Sequence, residues 1–370
     1  MTLSRRVGVG IVGAGEVFQV CHGPCLLLMS DRYKVESIFD ISKQNAAHCA
    51  AKFKVPTIAA NAEEVINNPS VDVVFVLTSD DSHEPVVISA VQAGKFVMVE
   101  KPITLSVPSA ERIIAAEKAV SSSPRIFVGY MRRYAPSYVQ AFKREVASIP
   151  RILYARVRDF SGPNAKFVNE SGTFSVKNVD FPPTAEAERD ARLDVLYKEA
   201  FPGLEITDER KKMCRFLGSL GSHDISLMRE TLGFPEAVVG VTANDPFYSA
   251  LFAYKNKDGT PFSVTYESGI DGVPVFDAHL AVYGAKKRVS IKYASPYVKG
   301  LPIMVEVDEL NEAGENQKRE ILSSYEDAYT AELKVLYDFI VNDKPIKTTA
   351  EDALQDLRLY SMMYARKESS

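Results

Sequence analysis

The sequence predicts a two-domain α/β chain: an N-terminal layered domain built on a parallel sheet, then an α+β domain with an open, mostly antiparallel sheet. Three observations carry this expectation. In the first 130 residues, apolar β-branched runs end in glycine or polar residues and alternate with helical stretches, the pattern of repeated strand–helix–strand units. Beyond that point the segments become short, β-rich and partly alternating, as in a sheet with one face covered by helices. Two long patterns with apolar residues at helical spacing close the chain.

Taken in order, Val7-Gly8-Val9-Gly10-Ile11-Val12 forms a first strand, and Gly13-Ala14-Gly15 turns it into a helix that starts near Glu16 and Val17. Glycine permits a tight bend and close approach of the backbone to a pyrophosphate, whose charge is met by amides at the helix N-terminus. Phe18 takes the place of the third glycine in the G-x-G-x-x-G pattern, and should loosen helix–strand packing or displace the helix. The pattern reads as a Rossmann dinucleotide-binding turn, with Gly13, Ala14, Gly15, Glu16 and Val17 expected at the cofactor; the other reading is an ordinary βα turn. The second strand, Lys34-Val35-Glu36-Ser37-Ile38-Phe39, ends at Asp40, at the distance where an acid accepts hydrogen bonds from an adenosine ribose. A carboxylate there repels a 2′-phosphate, which puts NAD ahead of NADP, with Lys43 partly offsetting the repulsion. The other reading is a helix cap, with Asp40 or Ser42 starting a helix over 43–52.

A further strand, Val71-Asp72-Val73-Val74-Phe75-Val76-Leu77, is apolar on both faces, as a parallel strand buried under two helix layers should be. It ends in Thr78-Ser79-Asp80-Asp81-Ser82-His83. Thr78, Ser79, Asp80 and His83 fall in the crevice where open α/β sheets bind ligands, while the same stretch also suits a capped helix start. His83 reads as structural rather than catalytic. The run Lys95-Phe96-Val97-Met98-Val99 then closes in Glu100-Lys101-Pro102, which sets Glu100 and Lys101 at the same crevice.

The domains are expected over 1–130 and 131–370, with the boundary after Arg125-Ile126-Phe127-Val128. Strands of the second domain are read at Ile152-Leu153-Tyr154-Ala155-Arg156-Val157-Arg158, Ala237-Val238-Val239-Gly240-Val241, Phe262-Ser263-Val264-Thr265-Tyr266, His279-Leu280-Ala281-Val282-Tyr283 and Arg288-Val289-Ser290-Ile291-Lys292. The closing helices carry Tyr329, Leu333, Leu336, Tyr337 and Ile340, then Leu354, Leu357 and Tyr360; the C-terminal helices can pack back on the first domain. Residues 161–216 form an insert too long for a bare loop, with a surface helix expected near 185–200. It can lid the active site, contact another subunit, or be a solvated charged helix.

Composition excludes other classes. Lys plus Arg is 44 against 48 for Asp plus Glu, a near balance that argues against a nucleic-acid surface. Cys21, Cys25, Cys49 and Cys214 show no paired C-x-x-C spacing and read as reduced, buried thiols; no metal site is expected. The start, Met1-Thr2-Leu3-Ser4-Arg5-Arg6, leads straight into the first strand with no room for a signal peptide, and no apolar run approaches a membrane span. A cytoplasmic protein without a membrane partner is expected. An open sheet with one uncovered face further suggests a homo-oligomer, a dimer or tetramer, because apolar faces must be buried.

In this order, Gly13-Ala14-Gly15, Asp40, the 78–83 segment and Glu100-Lys101-Pro102 resemble the Gfo/Idh/MocA family of nicotinamide-dependent sugar and cyclitol oxidoreductases. The likeness continues in Gly129-Tyr130-Met131-Arg132-Arg133-Tyr134, similar to the segment that enters the active site of inositol dehydrogenases, and in Gly221-Ser222-His223-Asp224. The resemblance implies hydride transfer between NAD or NADP and a secondary alcohol or carbonyl of a sugar, sugar acid or inositol-like cyclitol. It also implies that Lys101 and His223 are the catalytic pair. Ser219 stands where the family carries an aspartate one helical turn before the histidine, a carboxylate that would fix the imidazole tautomer. Asp224 is no simple substitute, since helix neighbours one apart face different ways. With Ser219 in place, either Lys101 carries the proton while His223 hydrogen-bonds the substrate, or another acid orients the histidine. The first is favoured, since a desolvated lysine can do proton chemistry. Arg132 is the expected substrate-hydroxyl clamp, Arg133 a domain-junction residue, and Asp159, Ser219, Asp224 and Tyr130 the lining of the substrate site. Two other functions stay open: a dinucleotide-binding sensor or co-regulator without turnover, and a reductase of a non-sugar secondary-metabolite carbonyl.

Overall fold

A computed structural model describes residues 5–368. Met1-Thr2-Leu3-Ser4, read above as leading into the first strand, lie outside the described residues. The chain divides into two compact units: one of residues up to 129 with 173–206 and 332–357, the other of 130–172 and 207–331 with the residues after 357.

The first unit is built on a six-stranded parallel sheet of β1 (Val7–Val12), β2 (Tyr33–Phe39), β3 (Thr57–Ile58), β4 (Val73–Val76), β5 (Phe96–Glu100) and β6 (Ile126–Gly129). The strand order is β3-β2-β1-β4-β5-β6, the Rossmann order, whose reversal between β1 and β4 opens the ligand crevice. β1 and β4 are buried along their whole length, as their all-apolar runs require. The first helix shows what Phe18 does. It begins at Glu16 and Val17, passes into a π-type turn, Phe18–His22, and continues as Gly23–Leu28. Phe18 is buried edge-on against Phe53, and Gly23 takes over the close approach, since a side chain there would meet the Phe53 ring at 2.6 Å.

The closing helices Ala328–Asn342 and Ala350–Glu368 contribute to this unit through their residues 332–357. Tyr33 donates its hydroxyl to the Leu333 carbonyl at 2.7 Å, Phe96 packs edge-on against Phe339, and the Val128 amide donates to the Thr348 carbonyl. From the insert, helix Ala185–Ala200 falls at the expected place. It docks on the N-terminal end of helix Val107–Val120, where Glu199 accepts from Arg112 and from the cap residue Ser106.

The second unit carries an eight-stranded sheet: β7 (Ile152–Ser161), β8 (Ala237–Asn244), β9 (Phe247–Lys255), β10 (Pro261–Ile270), β11 (Phe276–Gly284), β12 (Lys287–Tyr293), β13 (Met304–Leu310) and β14 (Asn316–Ile321). The order is β14-β13-β12-β11-β7-β10-β9-β8, with all pairs antiparallel except β10 with β7. Alternate residues Ala155, Val157, Val264, Tyr266, Leu280, Val282, Val289 and Ile291 face a core that includes the near-continuous helix 208–232. The opposite face differs from the apolar surface expected of it. It carries ion pairs of Arg156 and Arg158 with Glu267, of Arg158 and His279 with Asp277, and of Lys292 with Glu306. The same face also carries the aromatic pairs Tyr154–Tyr283 and Phe160–Phe247, so it is mixed in character, ion pairs beside aromatic rings.

Candidate functional site

The residues singled out from the sequence fall on both units. In the first, the β1 turn meets its stereochemical demand at Gly13, whose φ is +103° and where a side chain would meet the Leu77 carbonyl oxygen at 2.5 Å. Gly15 is different: nothing lies within 4 Å of where its side chain would point, which leaves an open cradle in front of the helix that starts at Glu16 and Val17. The Ala14 amide donates to Asp40 Oδ2 at 2.7 Å and the Ser42 amide to Asp40 Oδ1 at 2.8 Å, so the carboxylate closes the β1 turn onto the end of β2. Burial pushes the Asp40 carboxyl up, against the lowering pull of those two amides. Ser42 rather than Asp40 caps helix Lys43–Phe53, its Oγ accepting from the Asn45 amide.

At the end of β4, Thr78 and Ser79 lead into a short 3-10 turn, Asp80–Ser82, and helix His83–Gln92. His83 is buried between two backbone carbonyls, Nδ1 at 2.8 Å from Pro102 O and Nε2 at 3.1 Å from Thr78 O. It thereby ties the β4 end to the turn after Lys101, a structural part. Asp81 is buried, takes hydrogen bonds from Ser79 and Ser82, and pairs with Arg192 of the insert helix.

Glu100 points into the unit, where its Oε1 lies 2.7 Å from buried His22 Nε2 and its Oε2 accepts from the Lys101 amide. Burial alone would raise this carboxyl, but His22 and Lys101 outweigh it and hold it below the usual glutamate range. Lys101, partly exposed at the end of β5, therefore stands on a backbone fixed from below by Glu100 and from the side by His83. His22 was not identifiable as Glu100's partner from sequence, since 78 residues separate them. A histidine in a run of Val, Cys and Leu was the one available signal.

In the second unit, Arg132 is 2 % exposed and its guanidinium is divided between two carboxylates: Nη1 donates to Asp224 at 2.6 Å and Nη2 to Asp159 at 2.8 Å. The three residues expected to face substrate thus form a buried triad, and the Arg132 carbonyl accepts from Tyr293. Burial and the nearby Asp159 charge push the Asp224 carboxyl well up, with Arg132 pulling the other way. Arg133 pairs with Glu230 and lies over the ring of buried Tyr130. His223 is the second residue of helix Ser222–Leu232, which follows the π-type turn Leu217–Gly221 in the continuous helical run 208–232. Ser219 is exposed on that turn, and Asp224 beside His223 spends its carboxylate on Arg132. Gly221 answers to a packing demand, since a side chain there would meet the Tyr266 hydroxyl at 2.6 Å.

The open cradle at Gly15, the positive-φ Gly13 and the acid ending β2 fit a dinucleotide, and the strand order is that of a Rossmann dinucleotide-binding domain. Comparison with known proteins agrees. The model of an oxidoreductase family with an NAD-binding Rossmann fold matches residues 7–130, and that of the same family's C-terminal alpha/beta domain matches 207–370. The chain belongs to the Gfo/Idh/MocA oxidoreductase family. It is 28% identical over 173 residues to scyllo-inositol 2-dehydrogenase (NAD(+)) of Bacillus subtilis (strain 168), covering 46% of this chain and 50% of that relative, about half its length. It is 23% identical to Myo-inositol 2-dehydrogenase of Thermotoga maritima over 98% of this chain and 95% of that one. In fold it is similar to levoglucosan dehydrogenase in complex with NADH and levoglucosan, with a TM-score of 0.74 at 14% identity over 99% of this chain and 98% of that chain. No helix among the described residues is long and apolar enough to cross a membrane.

Proposed function

We propose that this protein is an NAD(P)-dependent oxidoreductase acting on a secondary alcohol or carbonyl of a sugar, sugar acid or cyclitol. The observation that supports it most is the bracing of Lys101: its neighbour Glu100 is locked by His22, and the following Pro102 carbonyl is held by His83. A lysine held this firmly at the carboxyl end of a Rossmann strand suits proton transfer, which depends on placement before pKa. Bound nicotinamide would supply the hydride chemistry. Gly13, Ala14 and Gly15 would receive the pyrophosphate with Glu16 and Val17 opening the helix, and Asp40 would accept from the adenosine ribose. Lys101 takes the proton from the substrate hydroxyl in oxidation, or returns it in reduction, and His223 hydrogen-bonds the substrate. Arg132, Asp159 and Asp224 act as positioning residues, their charges turned on one another, and the inositol dehydrogenase relatives favour a polyol substrate. A homo-oligomeric assembly that covers part of the open sheet face is proposed as well.

The test is a spectrophotometric screen of cyclitols, polyols and aldoses with NAD and NADP, run beside Lys101→Ala. Turnover lost in the variant with dinucleotide affinity kept supports the reading. Dinucleotide binding with no turnover on any substrate would favour a sensor without catalysis, the alternative to which Ser219 gives some weight.

A further inference from the structure

Between the ranges matched by the two family models, residues 173–180 lie as an extended strap across the helices that follow β1 and β2. The strap is held by side chains of the first unit. Gln19 brackets the Val176 backbone, its Oε1 accepting from the amide at 2.7 Å and its Nε2 donating to the carbonyl at 2.9 Å. Lys52 donates to the Phe174 carbonyl at 2.6 Å and lies over the Phe174 ring. Asn45 Oδ1 accepts from the Asn178 amide at 3.0 Å. These contacts deliver Asp180 to the N-terminus of helix Lys43–Phe53, where its Oδ1 accepts from the Ser42 hydroxyl and its Oδ2 from the Gln44 amide at 3.1 Å.

Four of the donors at this helix start are thereby assigned. The Ser42 amide serves Asp40, the Ser42 hydroxyl and Gln44 amide serve Asp180, and the Asn45 amide serves Ser42 Oγ. A helix N-terminus two residues past the ribose-binding acid is where a 2′-phosphate on the adenosine would look for N–H and O–H donors. Here a carboxylate of the chain itself already takes them. Lys43, the one basic side chain of that first turn, is exposed and therefore a weak counterweight.

Resting on the reading that Asp40 receives the ribose, we propose that Asp180 is a specificity-determining residue, an internal anion that occupies the phosphate-accepting donors and so excludes the 2′-phosphorylated dinucleotide. Discrimination would then come from two carboxylates, one that repels and one that also withholds the hydrogen-bond donors. Because the hydroxyl of an unphosphorylated ribose does not need those donors, NAD binding is left intact.

Calorimetric titration of the full chain with NAD and with NADP tests this without turnover. Wild type is expected to prefer NAD. Asp180→Asn, which keeps the shape and an acceptor, should tighten NADP by about tenfold or more while moving NAD by less than about threefold. Asp180→Ser should do the same, and Asp180→Glu should restore the wild-type preference. An unchanged NADP affinity in both Asp180→Asn and Asp180→Ser, with NAD binding retained, would overturn the proposal, as would wild type that binds both equally well. Wild type that binds neither would remove the dinucleotide reading itself and this inference with it.

Discussion

Replacing Arg132 with methionine removes the one positive charge from a buried cluster in which two carboxylates depend on it. Nη1 lies 2.6 Å from Asp224 and Nη2 2.8 Å from Asp159, and all three side chains are at most 3 % exposed. Methionine keeps much of the volume, so the change falls on charge pairing more than on packing. Removing one member of a buried pair costs about 3–5 kcal/mol, because the charge left behind has no compensation. Two charges are left here, but each can be quenched by a proton, which keeps the cost within that range. At roughly 2–4 °C per kcal/mol for a unit of this size, melting should fall by about 6–20 °C. The pH dependence has a definite sign. Burial already pushes the Asp224 carboxyl up, and without the opposing pull of Arg132 it rises further. A carboxyl raised in the folded state contributes its stability below its unfolded pKa and loses it as pH climbs toward the folded value. The variant's deficit should therefore widen as pH climbs above the ordinary aspartate range. Thermal melts followed by circular dichroism at several pH values give both quantities. A shift below about 2 °C, or a deficit that narrows as pH rises, would refute the buried-triad description.

Asp40→Ala should weaken NAD more than NADP in equilibrium titration; an unchanged preference removes Asp40 from the ribose role. His22→Ala strips a buried partner from Glu100 and should cost about 1.5–3 kcal/mol at neutral pH. Because the Glu100 carboxyl is held below its usual range, that contribution is present above the ordinary glutamate pKa and lost as pH falls through the folded one. Urea melts should accordingly show the His22→Ala deficit fading below about pH 4. Gly221→Ala should destabilise by about 1–3 kcal/mol through its clash with the Tyr266 hydroxyl, and Tyr266→Phe in the same chain should recover part of the loss.

Much of the first unit was legible because its signals are local. The β1 run, the glycine turn and the apolar β4 run each carry their own periodicity or stereochemistry, and Phe18 announced a disturbed helix start that proved to be a π-type turn with Gly23 as the close-approach residue. Helix Ala185–Ala200 was also locally encoded. What it docks on was not, since the Arg112–Glu199 pair joins residues 87 apart. Strand β3 is two exposed residues at a sheet edge, and β14 is the polar Asn-Gln-Lys-Arg-Glu-Ile, held by pairing with β13 rather than by any apolar pattern. Arg132 read as a substrate clamp because its partners lie 27 and 92 residues along the chain, and only the folded sheet and helix bring them to it. Asp180 escaped notice for the same reason, lying 138 residues from Ser42.

Hydride transfer through a Lys101-dependent step is tested most directly with a polyol deuterated at its carbinol carbon. Wild type with NAD should yield reduced dinucleotide bearing the deuterium, found by mass spectrometry, and Lys101→Ala should yield none while still binding NAD. Label transferred equally well by Lys101→Ala, or none by wild type across cyclitols and aldoses despite bound dinucleotide, would contradict it.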